Sequence, residues 1–284
     1  MTSQISGRTR VVGVWGHPVS HSLSPKMHNA ALSVLGQDWV YVPYTVHPDR
    51  VAAAVESVRA LDLVGVNVTV PLKELVLPHL DRVDEAAARI GSVNTIHNDN
   101  GVLTGYSTDG VGFISDLDRL GWPSANVTVA LLGAGGSARA LAYALAERGG
   151  HVVIANRTAE RSEALAALVN RYFPESASVA PWGGAAGRPI DLMVNTTSLG
   201  MSPNTETAPA LPESAFEGVG YVYDLIYKPA ETRFLASARE AGCKTSNGLG
   251  MLVRQGAASL KIWLGSPVPS SALEAMELAV TTPA

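Results

Sequence analysis

The sequence has a single cysteine, Cys243, among its 284 residues. One thiol can form neither an internal disulfide nor a zinc site built from cysteines, and it is typical of a reducing compartment. A lone buried cysteine usually fills the core, so Cys243 is expected to pack rather than to act as a nucleophile. Of the 7 histidines, His17 and His21 are four residues apart, but Pro18 argues against a helix there, and the other five form no ligand cluster. There is no G-x-S-x-G motif. The sequence therefore predicts neither a metal site nor a serine-hydrolase triad.

An excess of positive charge and long apolar runs are also missing. Lys and Arg number 21 against 25 Asp and Glu, which gives a net charge of −4. This balance argues against nucleic acid or an anionic membrane as the main partner. No segment approaches the roughly 18 apolar residues of a membrane span, and the apolar run at 11–16 is too short for a signal peptide. We expect a soluble, cytoplasmic protein.

Short β-branched runs alternate with Ala- and Leu-rich helical stretches. Hydrophobic residues make up 46% of the 284 residues, and at about 150 residues per domain this length favours two domains. In the first half the predicted order is strand, helix, strand, helix, strand, at 10–16, 24–36, 39–46, 49–61 and 64–70. This βαβαβ order predicts a parallel sheet covered by helices.

The same alternation restarts after Asp109. A helix at 110–121 precedes a strand that runs into a glycine loop, and further strand ends lie in the segments HVVIANRT, PIDLMVNTT and YVYDLIY. The last segment, 248–265, is an amphipathic helix. We expect one domain from residues 1–108 plus 248–284 and another from 109–247, with the C-terminal helices packing back on the first domain.

The glycine loop follows a buried-looking strand at 127–132 and reads Gly133-Ala134-Gly135-Gly136-Ser137-Ala138. It fits the pattern G-x-G-x-x-[GA], in which glycines let the backbone turn tightly and approach a pyrophosphate at a helix N-terminus. Such turns can also simply join a strand to a helix. The strand before, the helix after and a second strand about 20 residues further on favour a dinucleotide site.

The end of that second strand indicates which dinucleotide is bound. NAD-binding proteins usually have an acidic residue there, whereas this chain has Asn156, Arg157 and Thr158, with Arg161 further on. Guanidinium groups and a hydroxyl suit a 2′-phosphate, so the segment favours NADP. The alternative is that both arginines only begin a solvated helix, although cations are unfavourable in a helix's first turn.

Polar residues also follow the third strand of the first half. Asn67 and Thr69 share the face opposite the valines, which suits a polyhydroxylated ligand or, alternatively, solvent. Pro71 is expected to begin a helix with Lys73 in its first turn. There a cation faces the positive end of the helix dipole and would be a better proton shuttle than an ordinary surface lysine.

Other candidate residues have structural alternatives. Ser22 and Ser24 lie between a strand and a helix, where either could be an N-cap. Asp109 also precedes a helix and could cap it, and Asn94 lies in the segment GSVNT. Gln255 lies on the inward stripe of its helix, where a polar side chain needs a partner such as a ligand hydroxyl.

These segments together resemble the shikimate dehydrogenase family. The matching runs, in order, are GHPVSHSLSPKMHNAA, GVNVTVPLK, GSVNT, GYSTDG, GAGGSARA, NRT, VNTTSLGM, DLIYKPAETRFL and NGLGMLVRQGA. The resemblance implies NADP-linked, reversible reduction of 3-dehydroshikimate to shikimate. It implies an α/β fold in which a substrate-binding domain faces a Rossmann-type NADP-binding domain across a cleft. A monomer or a homodimer is expected.

The resemblance also implies residue roles. Lys73 and Asp109 would form the catalytic pair, and the substrate would contact Ser22, Ser24, Asn67, Thr69, Asn94, Asp109, Tyr227 and Gln255. The cofactor would contact Gly133, Ala134, Gly135, Gly136, Ser137, Asn156, Arg157, Thr158, Arg161, Thr196, Ser198, Met201, Leu225 and Gly248. Glu85 joins this second group by its spacing to Asn94 alone.

Two other functions are compatible with these motifs. One is a quinate/shikimate dehydrogenase with relaxed choice of substrate or cofactor, against which the paired serines and the Asn156–Thr158 segment argue. The other is a non-catalytic, NADP-sensing regulator, against which the presence of both Lys73 and Asp109 argues.

Overall fold

The structure, a computed structural model, describes residues 5–183 and 188–282. In this part of the chain the strands are β1 (Arg10–Gly16), β2 (Trp39–Thr45), β3 (Gly65–Val68), β4 (Arg82–Val83), β5 (Thr95–Asp99), β6 (Val102–Tyr106), β7 (Thr128–Leu132), β8 (His151–Ala155), β9 (Ala177–Ala180), β10 (Leu192–Asn195), β11 (Tyr221–Asp224) and β12 (Lys244–Asn247). The α-helices are α1 (Ser24–Val34), α2 (Val51–Ala60), α3 (Glu85–Ile90), α4 (Asp109–Leu120), α5 (Gly136–Glu147), α6 (Ala159–Tyr172), α7 (Arg233–Glu240), α8 (Leu249–Leu264) and α9 (Ser270–Thr281). Short 3-10 helices lie at Pro48–Arg50, Leu77–His79 and Glu213–Phe216.

The chain divides into two compact units. Unit one comprises Met1–Gly112 and Leu252–Ala284, and unit two comprises Phe113–Met251. Both divisions fall inside helices, α4 and α8, a few residues beyond the sequence-based boundaries at 108 and 247. Each of these helices therefore contributes residues to both units.

Unit one is built on a six-stranded sheet of order β2-β1-β3-β5-β6-β4. β1 is parallel to β2 and β3, as the βαβαβ pattern predicts. Beyond these predicted strands the sheet is mixed, because β5 runs antiparallel to both β3 and β6. A tight turn joins β5 to β6 at Asn100 and Gly101, which have φ values of 51° and 91°. Such a two-residue turn reverses the chain, which a crossover helix does not.

The third strand is also shorter than the sequence predicts. It ends at Val68 rather than at residue 70, and Val70 is 58% exposed. The proline after Val70 has no N–H to continue a ladder, and the Leu72 N–H closes a turn on the Thr69 carbonyl at 2.9 Å. Every residue of β3 is buried, so its polar face is covered by protein rather than by solvent.

The C-terminal helices pack within unit one. Leu260 and Trp263 of α8 and Met276 of α9 join the cluster that also contains Val14 of β1 and Met27 of α1. A second cluster, centred on α2 and β3, forms the remaining core of this unit. Burial of these aliphatic and aromatic side chains is the main term that stabilises the sheet.

Unit two has a six-stranded, fully parallel sheet of order β12-β11-β10-β7-β8-β9. The chain runs outwards from β7 through α5, β8, α6 and β9, and then resumes at β10 on the other side of β7. This reversal of strand order is the switch point at which doubly wound sheets bind ligands, beyond the carboxyl ends of the strands. The predicted α/β class, with one Rossmann-type unit, is confirmed.

Cys243 packs in the apolar core of unit two, and its burial raises the pKa of the thiol. No helix within 5–183 or 188–282 is both long and apolar enough to cross a membrane. Over the same residues, no group of three or more His, Cys, Asp or Glu side chains could hold a metal ion.

Candidate active site

The sheet of unit one brings distant polar residues to one edge. β1, β3 and β6 share one direction, and β5 opposes them. The segments that follow β1, β3 and β6 and the one that precedes β5 therefore meet at the same edge. They carry Ser22, Ser24, Thr69, Lys73, Asn94 and Asp109.

Lys73 does not lie in the first turn of a helix, contrary to the sequence-based expectation. The segment after Pro71 forms turns and then the 3-10 helix Leu77–His79. The Lys73 carbonyl accepts a hydrogen bond from the N–H of the distant Val93 at 3.0 Å. The argument from the helix dipole therefore does not apply to this lysine.

A buried ion pair holds the lysine instead. The Nζ atom of Lys73 donates to Oδ2 of Asp109, and the two residues are 8% and 4% exposed. Oδ1 of the same carboxylate accepts from Nδ2 of Asn94 at 2.7 Å. Asp109 is the first residue of α4, but its carboxylate faces the lysine and the amide. A pair of opposite charges this well shielded from water interacts strongly and has a defined geometry.

The orientation of the Asn94 amide is set by its neighbours. Its Oδ1 accepts from the backbone N–H of Thr108 at 2.8 Å, so Nδ2 must face Asp109. Nδ2 also lies 3.3 Å from Oε1 of Gln255, a half-buried residue of α8. Four of the predicted site residues therefore form one hydrogen-bonded group in unit one: Lys73, Asn94, Asp109 and Gln255.

Asn67 lies behind this group with both ends of its amide engaged. Oδ1 accepts from the Tyr41 hydroxyl at 2.7 Å. Nδ2 donates to Oγ of Ser259 at 2.9 Å and to Oγ1 of Thr95 at 3.1 Å. The Thr95 hydroxyl in turn lies 3.1 Å from Oδ1 of Asn94. Asn67 therefore supports the residues of the site from the protein interior.

The two serines differ in their surroundings. The N-cap of α1 is Leu23 and has no side-chain cap bond, so the alternative of Ser24 as an N-cap is wrong. Ser24 is the first residue of the helix and is buried. The half-buried Ser22 accepts the Ser24 N–H on its hydroxyl oxygen at 3.2 Å. Thr69 is half-buried at the same sheet edge, with its N–H bonded to the Trp15 carbonyl at 2.8 Å.

Glu85 begins α3 on the surface of unit one, where it pairs with Arg89 one turn later. It therefore belongs to the unit that carries Lys73 rather than to the one that carries the glycine loop.

In unit two, the glycine loop has a shape that only glycine permits. Gly133 has a φ of +117°, and a Cβ there would lie 2.5 Å from Oγ1 of Thr196. Gly135 is the N-cap of α5, makes no side-chain cap bond, and would meet no atom within 4 Å if it carried a Cβ. The first turn of α5 contains no acidic residue. An open, uncapped helix N-terminus of this kind suits an anion such as pyrophosphate.

The arginines after β8 lie where a second anion would be recognised. Arg157 and Arg161 are exposed, and neither forms an ion pair with a carboxylate of residues 5–183 or 188–282. Asn156 donates to the Thr158 carbonyl at 2.8 Å, which folds the turn, and Thr158 is the N-cap of α6. The residues present therefore fit a dinucleotide that carries an additional 2′-phosphate.

The remaining predicted cofactor residues lie in loops at the carboxyl ends of β10, β11 and β12. Thr196 donates to the Leu132 carbonyl at 2.8 Å, while Ser198 and Met201 follow in the same loop. Leu225 and Gly248 approach each other so closely that a Cβ at residue 248 would lie 2.0 Å from the Leu225 oxygen. Tyr227 is half-buried in the loop after β11.

Sequence reasoning missed the buried polar residues that support the predicted site residues of each unit. In unit one these are Tyr41, Thr95, Thr108 and Ser259, and in unit two they are Asn195, Asp224 and Thr232. Some signals were present, since Asn195 and Asp224 end successive strands and Ser259 lies one helical turn after Gln255. Strand ends and (i, i+4) helix positions are where such contacts are expected.

The fold and these residues define a class: a two-unit, dinucleotide-binding α/β protein with a buried lysine–aspartate pair. Models of three parts of one family match the chain. They are the shikimate dehydrogenase substrate binding domain at residues 14–96, shikimate / quinate 5-dehydrogenase at 119–177, and the shikimate 5′-dehydrogenase C-terminal domain at 248–280.

Related proteins match this chain in sequence and structure over nearly its whole length. A shikimate dehydrogenase (NADP(+)) of Moorella thermoacetica is 48% identical over 278 residues, 95% of this chain and 93% of that protein. A crystal structure of a shikimate dehydrogenase in complex with NADP+ has a TM-score of 0.90 at 39% identity, covering 99% of this chain and 98% of that one. The enzyme of Thermus thermophilus in complex with NADP(H) and shikimate gives 0.84 at 39% identity, covering 95% and 99%. The chain belongs to the shikimate dehydrogenase family.

Proposed function

We propose that the chain catalyses the reversible, NADPH-dependent reduction of 3-dehydroshikimate to shikimate, with Lys73 and Asp109 as the acid–base pair. The observation that carries the proposal is the buried Lys73–Asp109 pair, held by Asn94 at the sheet edge where Ser22 and Ser24 also lie. Family membership supports an NADP-dependent shikimate dehydrogenase. The catalytic mechanism and the direction of the reaction are part of the proposal.

Unit one would bind the substrate. The hydroxyls of Ser22 and Ser24 suit its carboxylate, while Thr69, Asn94 and Gln255 provide neutral donors and acceptors for its ring hydroxyls. Tyr227 is a further predicted substrate contact. Neutral hydrogen-bonding groups of fixed orientation discriminate well between substrates that differ by one hydroxyl.

Lys73 would perform the proton transfer. Negative charge develops on the substrate's carbonyl oxygen during reduction, and the Lys73 ammonium stabilises it and donates a proton. In the oxidation of shikimate, Lys73 would take the proton back. Asp109 holds the ammonium through Oδ2 and would accept a substrate hydroxyl bond. Because Asn94 binds Oδ1, the carboxylate is fixed before the substrate arrives.

The nucleotide would bind to unit two. The pyrophosphate would lie on the backbone of Gly133 to Ser137, and Arg157, Thr158 and Arg161 would contact the 2′-phosphate. The nicotinamide, when bound, supplies or accepts the hydride. Leu225 and Gly248 would line its ring. A cytoplasmic location and a monomeric or homodimeric state remain predictions, the second testable by light scattering.

The decisive experiment is an activity assay with two substrates and two cofactors. Purified protein is given shikimate or quinate with NADP+ or NAD+, and the formation of reduced cofactor is followed. We expect oxidation of shikimate with NADP+ to be fastest by a wide margin. Comparable rates with quinate or NAD+ would favour a quinate/shikimate dehydrogenase of relaxed choice. No oxidation by a protein that binds NADPH would favour a non-catalytic sensor.

The role of Lys73 is tested by substitution. Lys73→Ala should lower kcat by about 10²–10⁴-fold, the usual contribution of a positioned acid–base group, and change KM much less. Lys26→Ala is the matched control, because Lys26 is exposed on α1 and its ammonium bonds to the Thr282 carbonyl, away from the site. A folded Lys73→Ala protein with unchanged kcat contradicts the proposed mechanism.

A further inference from the structure

A fully buried carboxylate ends β11 of unit two and is bonded to neutral donors. Oδ1 of Asp224 accepts from Asn195 Nδ2 and from the Ile226 N–H, both at 3.0 Å. Oδ2 accepts from the Thr232 hydroxyl at 2.6 Å. Burial raises the pKa of Asp224 to about 6, and these three donors oppose the shift. Burial of a charge is costly, and here three neutral donors satisfy the carboxylate.

Asp224 orients the loop that follows β10. A carboxylate can only accept, so it must face the donor end of the Asn195 amide. The acceptor end, Oδ1, is then turned to the next loop, where it accepts from the N–H of Thr197 at 3.0 Å and from its hydroxyl at 2.7 Å. Nδ2 of Asn195 also lies 3.3 Å from the Leu199 carbonyl.

The same carboxylate closes the loop that follows β11. Ile226 and Thr232 lie near the two ends of that loop, and both donate to Asp224. Thr232 is also the N-cap of α7, where its hydroxyl oxygen accepts from the Leu235 N–H at 3.3 Å. The two loops are tied to each other by a bond from the Ser202 N–H to the Lys228 carbonyl at 3.2 Å.

We infer that Asp224 is a positioning residue for the nicotinamide half of the cofactor site. The inference rests on the proposed function, because it takes Leu225 of the second loop as a nicotinamide contact and Thr196, Ser198 and Met201 of the first loop as cofactor contacts. The three donors to Asp224 lie at the end of β10 and after β11, whereas the phosphate-binding residues follow β7 and β8. The loss of Asp224 should therefore weaken binding of the nicotinamide half of the nucleotide and leave binding of the adenosine half unchanged.

Two ligands separate these halves. NADPH carries the nicotinamide, whereas adenosine 2′,5′-bisphosphate carries only the adenosine with its 2′- and 5′-phosphates. Dissociation constants for both are measured by fluorescence titration and calorimetry with the full-length protein. In Asp224→Asn one acceptor oxygen becomes a donor, so at least one of the three donors loses its partner. We expect NADPH to bind on the order of 10-fold more weakly, and the bisphosphate to change by less than about 2-fold.

Three further variants make the test specific. Asp191→Asn is the matched control, since Asp191 accepts the Thr128 N–H at the opposite end of the sheet. Thr232→Val removes one donor to Asp224 and should reproduce the selective loss, while Thr232→Ser keeps the hydroxyl and should restore affinity. Thr232→Val also serves if Asp224→Asn does not fold.

The outcomes are distinct. Equal losses for both ligands, or none in folded variants, overturn the inference, and failure of both variants to fold would assign the cluster to the stability of unit two. A wild-type protein that binds NADPH but does not oxidise shikimate contradicts the proposed function and leaves this binding comparison interpretable.

Discussion

His28 of α1 makes the stability of unit one dependent on pH. Its side chain is completely buried, and neither ring nitrogen has a hydrogen-bond partner among the described residues. The ring stacks on Tyr41 with centroids 4.3 Å apart and lies 5.7 Å from the Trp263 ring. Burial lowers the pKa of His28 from 6.5 to about 3, because the apolar surroundings cannot solvate a charged imidazole.

The sign and size of the effect follow from proton linkage. The folded protein keeps His28 neutral, whereas the unfolded chain takes up a proton below pH 6.5. The free energy of unfolding therefore falls as the pH drops from 6.5 towards about 3. The slope is about 1.4 kcal/mol per pH unit, so the loss from this group reaches about 2 kcal/mol at pH 5.

The substitution His28→Leu isolates this term. Leucine has nearly the same volume, so at neutral pH the lost ring stacking, about 0.5–1.5 kcal/mol, is offset by removal of two unpaired nitrogens. Urea unfolding is followed by circular dichroism from pH 8 to pH 5 in both proteins. Other groups with shifted pKa values, such as the half-buried His97 and the buried Asp224, also titrate, but their contributions cancel in the difference between the two proteins.

We expect the free-energy difference between His28→Leu and wild type to shift by about 2 kcal/mol in favour of the variant over this pH range. His79→Leu, which removes an exposed histidine, is the control. Parallel curves for wild type and His28→Leu would refute the reasoning, because they would mean that His28 is solvated or paired in the folded protein.

Three further predictions concern the two binding sites. Arg157→Asp should weaken NADP+ by about 2–3 kcal/mol and hardly change NAD+; Arg171→Asp, in α6 further along the chain, is the control, and equal losses would contradict the 2′-phosphate assignment. Ser24→Ala should raise KM for shikimate with little change in melting temperature, because Ser24 caps no helix; a lower melting temperature with unchanged kinetics would indicate a purely structural role. Gly133→Ala should weaken NADPH binding, since an L-residue at φ +117° is strained and its Cβ would lie 2.5 Å from Thr196 Oγ1; Gly220→Ala, where the new Cβ meets its nearest atom at 3.7 Å, should bind normally.

Local signals predicted much of this fold. The four strands predicted in unit two, β7, β8, β10 and β11, occur in the predicted order, because each is a largely apolar run and each crossover is long enough for a helix. The edge strands β9 and β12 are not predicted, and β12, Lys244–Asn247, is polar. The hairpin of β5 and β6 was missed, since its turn signal, Asn100-Gly101, lies between strands with weak alternation. The proline predicts a helix at Lys73, because proline often begins one. The structure has turns there, and the Lys73 carbonyl bonds to the Val93 N–H from twenty residues further along the chain.

The candidate site was predictable only in part, for a related physical reason. Residues predicted to face the ligand occur in recognisable sequence motifs. The residues that hold them in place can be identified only from contacts between distant segments of the chain. Ser259 bonds to Asn67 and lies 2.7 Å from Thr95, and all three are brought together from distant segments. Asp224 and Thr232 are similar, since nothing in a strand end or a helix start shows that the two side chains meet. Such contacts require the topology of the sheet to be known first.

Substitution of the Lys73–Asp109 pair can lower activity in two ways, through loss of the proton-transfer step or through loss of folding stability. Both residues are buried, so Lys73→Ala leaves an uncompensated carboxylate inside the protein. Breaking a buried pair in this way typically costs about 3–5 kcal/mol, which could lower activity through unfolding alone.

A double substitution resolves this ambiguity. Lys73→Ala with Asp109→Asn removes the unpaired charge, while the amide can still bond with Asn94. We expect the double variant to regain much of the stability that Lys73→Ala loses and to stay as inactive as the worse single variant, because the pair acts as one catalytic unit. Urea unfolding and kcat are measured on the two single variants and the double variant. Recovery of activity together with stability would show that Lys73 supports the fold and does not transfer the proton.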